Sequence, residues 1–352
     1  MPVPSFCNPL TRSFHNIFKV NHILNRKSFS VGIRTLFLLT IHVSLLTILP
    51  SCQKEKVSLS FSRLTSGTTD DLDDILFLND SIGYACGGLR YDKGDILKTI
   101  DGGFTWVDQS DSNMTKELYH LNFLSKDTGL SCGYDGKIFR TYDGGMNWQY
   151  LQTYYYRPIR SVFMLNANKG FACGGDGFNH GYQLQTITAD TWQVDTSNVE
   201  YRDLFFFDEF YGVMCGYGLI LRTSDGGESW TYTNAKQDFF VAMNFVNDEI
   251  GFAIGYTGSI WKTNDGGENW DRLRNANILF TPQWYFNCIE FRDANVGYIA
   301  GERGCILKTE DGGDHWDKVE NSPDVDWLGI SLVSNGGFLC GTGGTIYRFV
   351  DK

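Results

Sequence analysis

Five eight-residue stretches hold an aspartate, two glycines and a tryptophan at fixed spacing: TIDGGFTW (99–106), TYDGGMNW (141–148), TSDGGESW (223–230), TNDGGENW (263–270) and TEDGGDHW (309–316). An acidic glycine loop can serve three kinds of chemistry. A calcium loop takes oxygen ligands from alternate positions of one segment, and each stretch brings a single aspartate. Acid–base hydrolysis needs two carboxylates on one bond, and aspartates spaced once per repeat have no reason to converge. A turn needs only what is present: two glycines that accept positive φ and an aspartate that takes backbone N–H groups. The pattern predicts structural turns. Asp101, Asp143, Asp225, Asp265 and Asp311 fix the loops, and Trp106, Trp148, Trp230, Trp270 and Trp316 pack their apolar area beyond them.

Other chemistry is sparse. His120, His180 and His315 have no ligand spacing such as H-E-x-x-H, and there is no G-x-S-x-G or phosphate loop. No metal and no cofactor are expected. Cys86, Cys132, Cys173, Cys215 and Cys340 recur at one place in the repeat, where two units have Ile254 and Ala300 instead. That interchange marks small apolar core positions and free thiols. Cys288 and Cys305 are left open as a pair.

The elements that carry these residues are repeats. Seven times along the chain, five of them ahead of a DGG stretch, runs an alternating apolar segment, a polar loop and a glycine-bracketed strand: ILFLNDSIGYACG (75–87), LNFLSKDTGLSCG (121–133), VFMLNANKGFACG (162–174), LFFFDEFYGVMCG (204–216), MNFVNDEIGFAIG (243–255), IEFRDANVGYIAG (289–301) and ISLVSNGGFLCG (330–341). The third unit keeps only TITADTW (186–192) of the DGG stretch. Period-two alternation, turns every few residues and units of about 40–45 residues predict an all-β, seven-bladed propeller over 57–352. The seventh unit lacks a fourth strand, and VSLSFSRL (57–64) is expected to supply it and close the ring.

The leader differs. Before Cys52 stand five basic residues and no acidic one, then an apolar run over 36–49 ending in LPSC (49–52). At about 1.5 Å per residue that run spans roughly 21 Å, short of a bilayer core of about 30 Å. Residues 1–51 therefore predict an export signal, with translation starting nearer Val31, and 52–56 a lipidated N-terminus and linker. Cys52 is the expected lipid site. The expected location is the bacterial envelope, with a lipid anchor as the one membrane attachment. The chain from Cys52 onward carries 25 basic against 41 acidic residues. That balance excludes nucleic acid, whose phosphates need Lys and Arg.

The DGG stretch resembles the Asp-box (BNR) repeat, S/T-x-D-G-G-x-x-W, of sialidases, sortilin-type receptors and some glucan hydrolases. The unit containing GYACG and GDILKTIDGGFTW is most similar to the photosystem II stability and assembly factor propellers. That resemblance implies a propeller, and in those factors an arginine patch binds a partner polypeptide. Sialidases place three arginines on a carboxylate and carry an F/Y-R-I-P motif. Here YRPI (156–159) has the order changed, and no third arginine joins Arg160 and Arg202. Glucan hydrolases use a carboxylate pair, for which Asp73, Asp74, Asp203 and Glu290 are the candidates.

What remains is a surface. The connections into the inner strands hold Tyr155, Tyr156, Arg157, Arg160, Arg202, Trp284, Tyr285 and Trp327. Tyr, Trp and Arg dominate interface energetics, and these loops are expected at one mouth of the central channel. The sequence thus predicts a non-enzymatic, envelope-anchored propeller that binds a protein or peptide, as an assembly or stability factor does. The alternative is a carbohydrate-active protein, glycan-binding or a glycoside hydrolase.

Overall fold

The computed structural model describes residues 57–276 and 283–351. The expected export signal, Cys52 and the expected linker lie outside the described residues. No helix among the described residues is long and apolar enough to cross a membrane.

The described chain is an all-β propeller, but its strand pairing corrects the expected number of blades. Its strands join into six hydrogen-bonded sheets, not seven: five of four strands and one of six. The six-stranded sheet takes in the fourth and fifth repeats. Thr231–Phe245 runs unbroken from the outer strand of one repeat into the inner strand of the next. Gly212–Thr223 likewise continues where other repeats divide into two strands. The junction TYTNAKQDFF (231–240) has neither proline nor glycine to interrupt it. Counting repeats overstates the blades by one because strand pairing carries through this junction, even past Gln237 with its φ of 68°.

At the other end of the chain, Leu59–Thr65 pairs antiparallel with Thr345–Asp351, from Leu59↔Asp351 to Thr65↔Thr345. The resulting sheet holds the first and last strands of the propeller side by side, with Leu59–Thr65 as its outer strand.

The DGG turns are built alike. Their first glycines have φ of 67–74° and their second 84–86°, values that cost a side chain-bearing residue strain. Thr99, Thr141, Thr223, Thr263 and Thr309 each donate a hydroxyl to the turn aspartate at 2.7–2.9 Å. The residue four positions after each aspartate gives it a backbone N–H at 2.9 Å. Side-chain bonds from Thr105, Asn147 and Ser229 hold Asp101, Asp143 and Asp225 below the usual carboxylate range, Asp225 at about 2. These carboxylates are engaged inside their own loops.

Each turn also sets a tryptophan against the seam between repeats. Trp106 meets Phe77 edge-on at 5.9 Å, and Phe77 stacks on Phe338 of the seventh repeat at 3.8 Å. Trp148, Phe123 and Tyr84 repeat the arrangement, as do Trp316, Phe291 and Phe252. The core is thus a series of clusters between neighbouring repeats. The recurring cysteines lie inside it: Cys86, Cys132, Cys173, Cys215 and Cys340 are fully buried. Cys288 and Cys305 are buried and free, so the pair left open is not bonded.

Candidate functional site

Seven inner strand segments line a central channel, and each enters it through the same irregularity. The register shifts at Leu72/Asp74, Leu118/His120, Ile159/Ser161, Tyr201/Asp203, Phe240/Ala242, Phe286/Cys288 and Trp327/Gly329. A bulge adds one residue to a strand and re-aims its side chain. The extra residues are Asp73, Tyr119, Arg160, Arg202, Val241, Asn287 and Leu328, and all of them line a cavity of about 310 Å³. Repeats one to four therefore give the mouth a polar arc, and repeats five to seven give it Val241, Asn287 and Leu328.

The polar arc is electrostatically strained. The Arg160 guanidinium lies over the Tyr119 ring at 4.5 Å and makes no ion pair among the described residues. Arg202 pairs with Glu200 at 3.2 Å and lies over Phe239 at 5.0 Å. Burial, then the neighbouring Arg160 charge, pulls Arg202 down to about 10. Burial, then Glu117 and Asp71, pushes the Asp73 carboxyl well above its usual range.

Below the mouth a closed circle of hydrogen bonds ties each inner strand to the next. Asp74 Oδ2 accepts the Leu121 N–H (2.8 Å), and Asn122 Oδ1 that of Met164 (3.0 Å). Ser161 Oγ donates to Asp203 Oδ1 (2.9 Å), and Asp203 Oδ2 accepts the Met243 N–H (2.8 Å). Asn244 Oδ1 accepts from Phe291 (3.1 Å), Glu290 Oε2 from Leu332 (2.9 Å) and Ser331 Oγ from Phe77 (2.9 Å). Three of the four carboxylates considered for hydrolysis are thus acceptors for neighbouring backbone. Burial lifts Glu290 to about 8 and also raises Asp203. Among the described residues no group of three His, Cys, Asp or Glu side chains could hold a metal ion.

The geometry can now be set beside known proteins. A family model described as photosynthesis system II assembly factor YCF48 matches residues 233–337. The chain is similar to the solved structure of YCF48 bound to D1 peptide, with a TM-score of 0.66 and 20% identity over 85% of this chain and 100% of that one. YCF48 from Cyanidioschyzon merolae matches with a TM-score of 0.63 and 17% identity over 83% and 99% of the two chains. The WD40 propeller domain of Doa1 gives 0.66 at 12% identity, over 84% and 98%. No curated protein sequence matches the chain. These likenesses show a propeller fold.

The structure distributes the sequence-predicted residues unevenly. Arg160 and Arg202 face the same opening. Arg157 sits on the rim, paired with Asp176 at 2.5 Å, beside an exposed Tyr156. Tyr155 packs on Tyr182 at 4.3 Å, and Trp284 lies under the Arg274 guanidinium at 4.3 Å. Trp327 contributes no surface. It is fully buried and its Nε1–H donates to Ser322 Oγ at 3.4 Å.

Of a ridge of rings on the mouth face, Tyr285 was among the residues expected there from sequence and the others were not. Phe178 meets Tyr217 at 4.8 Å and Phe239 at 5.6 Å; Phe239 leads to Tyr256 at 6.3 Å, and Tyr256 to Tyr285 at 5.2 Å. Phe178 and Tyr217 are about half exposed. A signal existed: Tyr134, Tyr217 and Tyr256 each follow the glycine that ends the second strand. Such a residue belongs to a hairpin at the mouth, because that strand runs back toward it.

Proposed function

We propose that this protein binds a polypeptide partner across the channel mouth, as an assembly or stability factor does, and catalyses no reaction. The observation that carries this is the aromatic ridge from Phe178 to Tyr285, with Arg202 over its central ring, Phe239. Rigid rings give large contact area at low entropic cost, and arginine beside them supplies orientation. A peptide is also what the similar YCF48 propeller is bound to. We further place the protein in the bacterial envelope, held by lipid on Cys52, on the strength of the basic leader, the short apolar run and LPSC.

A pull-down from solubilised envelope tests the surface. Phe178→Ala with Tyr217→Ala removes two exposed rings, so partner recovery should fall while the melting temperature holds. Unchanged recovery would refute a site at the ridge. For the anchor, Cys52→Ala should move the protein out of the membrane fraction, and continued membrane attachment would count against lipidation.

A further inference from the structure

The channel beneath the ridge has a chemistry of its own. Asp73 Oδ2 and Arg160 Nε are buried and form no hydrogen bond to any described residue, whereas the Tyr119 hydroxyl is turned to Glu117 and Arg90. Two such atoms on one arc of one cavity suit a polar ligand, since buried polar groups are otherwise paired. The arc also keeps its charges apart. Tyr119 stands between Asp73 and Arg160 in ring order and holds the guanidinium against its face at 4.5 Å. On the far side of Arg160 comes a second guanidinium, Arg202, near enough to repel it. One end of the arc thus presents an unpartnered carboxyl oxygen and the other two adjacent guanidinium groups, Arg160 without an ion pair and Arg202 held by Glu200 at 3.2 Å, so a lone cation or a lone anion answers only one end. Val241 and Leu328 form the wall opposite.

We propose that the channel mouth binds a small zwitterion of the α-amino acid class. Its ammonium group meets Asp73, its carboxylate meets Arg160 and Arg202, and its apolar side chain lies toward Val241 and Leu328. An open cavity of about 310 Å³ has room for such a molecule. Guanidinium groups bind carboxylate through paired, charge-assisted hydrogen bonds, which fixes the orientation. This goes beyond polypeptide binding at the ridge and does not depend on it.

Calorimetric titration of the solubilised full-length protein with L-leucine, N-acetyl-L-leucine and L-leucinamide provides the test. L-Leucine should bind saturably and raise the melting temperature. Each derivative, having lost one charge, should bind at least about tenfold more weakly. In Asp73→Asn the preference for leucine over its N-acetyl form should collapse, and in Arg160→Met the preference over the amide. Failure of L-leucine to saturate by about 10 mM would overturn the proposal. So would N-acetyl-L-leucine binding as tightly as leucine, because the mouth would then read a carboxylate alone, such as a chain terminus. The derivative series uses the unaltered protein, so it decides the matter even if a variant misfolds.

Discussion

Glu290→Gln should make stability less sensitive to pH. Glutamine keeps the volume and an oxygen for the Leu332 N–H, which Glu290 Oε2 accepts at 2.9 Å, and removes only the titration. Burial lifts the folded-state carboxyl to about 8 from an ordinary 4.5. From pH 4.5 to about 8 the folded protein therefore holds a proton that the unfolded chain has released. Stability must fall as pH rises through that window, at no more than about 1.4 kcal/mol per pH unit. Glu290 lines the channel and keeps some contact with water, so the total gap between variant and parent should be roughly 2–3 kcal/mol, below the full value of the shift. Urea unfolding midpoints of both proteins, measured across the window, give the difference directly. The two should coincide near pH 4.5, and the variant should lead increasingly toward pH 8. Asp73 and Asp203 are raised in the same sense, and their contributions largely cancel in the comparison. Parallel profiles would mean that Glu290 is charged in the folded protein, and the account of the hydrogen-bonded circle would need revision.

Two further outcomes follow from packing. Trp270→Ala should cost about 3–5 kcal/mol in chemical unfolding, because the ring is fully buried against Phe245, and a loss below about 1 kcal/mol would contradict that. Gly251→Ala should lower the melting temperature by the equivalent of about 1–3 kcal/mol, since a Cβ there falls 2.4 Å from the Phe245 ring; Gly251→Ala combined with Phe245→Leu should recover part of it.

What the sequence made legible was whatever the repeat carried. The DGG turns were readable because two adjacent glycines and one carboxylate suffice to build them. Arg160 and Arg202 could be assigned to one opening because they hold equivalent positions in consecutive repeats. The same logic applied to Trp327 would have exposed it as core, since Leu72, Leu118, Ile159 and Phe286 occupy its place and are all buried. Arginine and tryptophan one residue apart along the repeat thus have opposite fates, decided by a bulge that no composition reveals. The blade count failed for a different reason. Whether hydrogen bonding stops between repeats depends on how the backbone crosses each junction, and Thr231–Phe245 crosses without a break. Apart from Tyr285 the ridge went unremarked because its rings come from four repeats and meet only when those repeats pack side by side.

That closure also sets a clock on the making of the protein. Leu59–Thr65 is the first propeller strand to leave the ribosome, and its partner, Thr345–Asp351, is the last. About 280 residues separate Thr65 from Thr345, which at about 5–20 residues per second is a wait of roughly 15–55 s. Throughout that interval the earliest strand has no partner, and the growing ring ends in bare backbone. Faster folding of the intervening repeats cannot shorten the delay, because the missing strand has not yet been made. Any chain cut short by translation or proteolysis never acquires its latch. Completion of the ring is therefore a report, delivered by the first strand, that the last one has arrived.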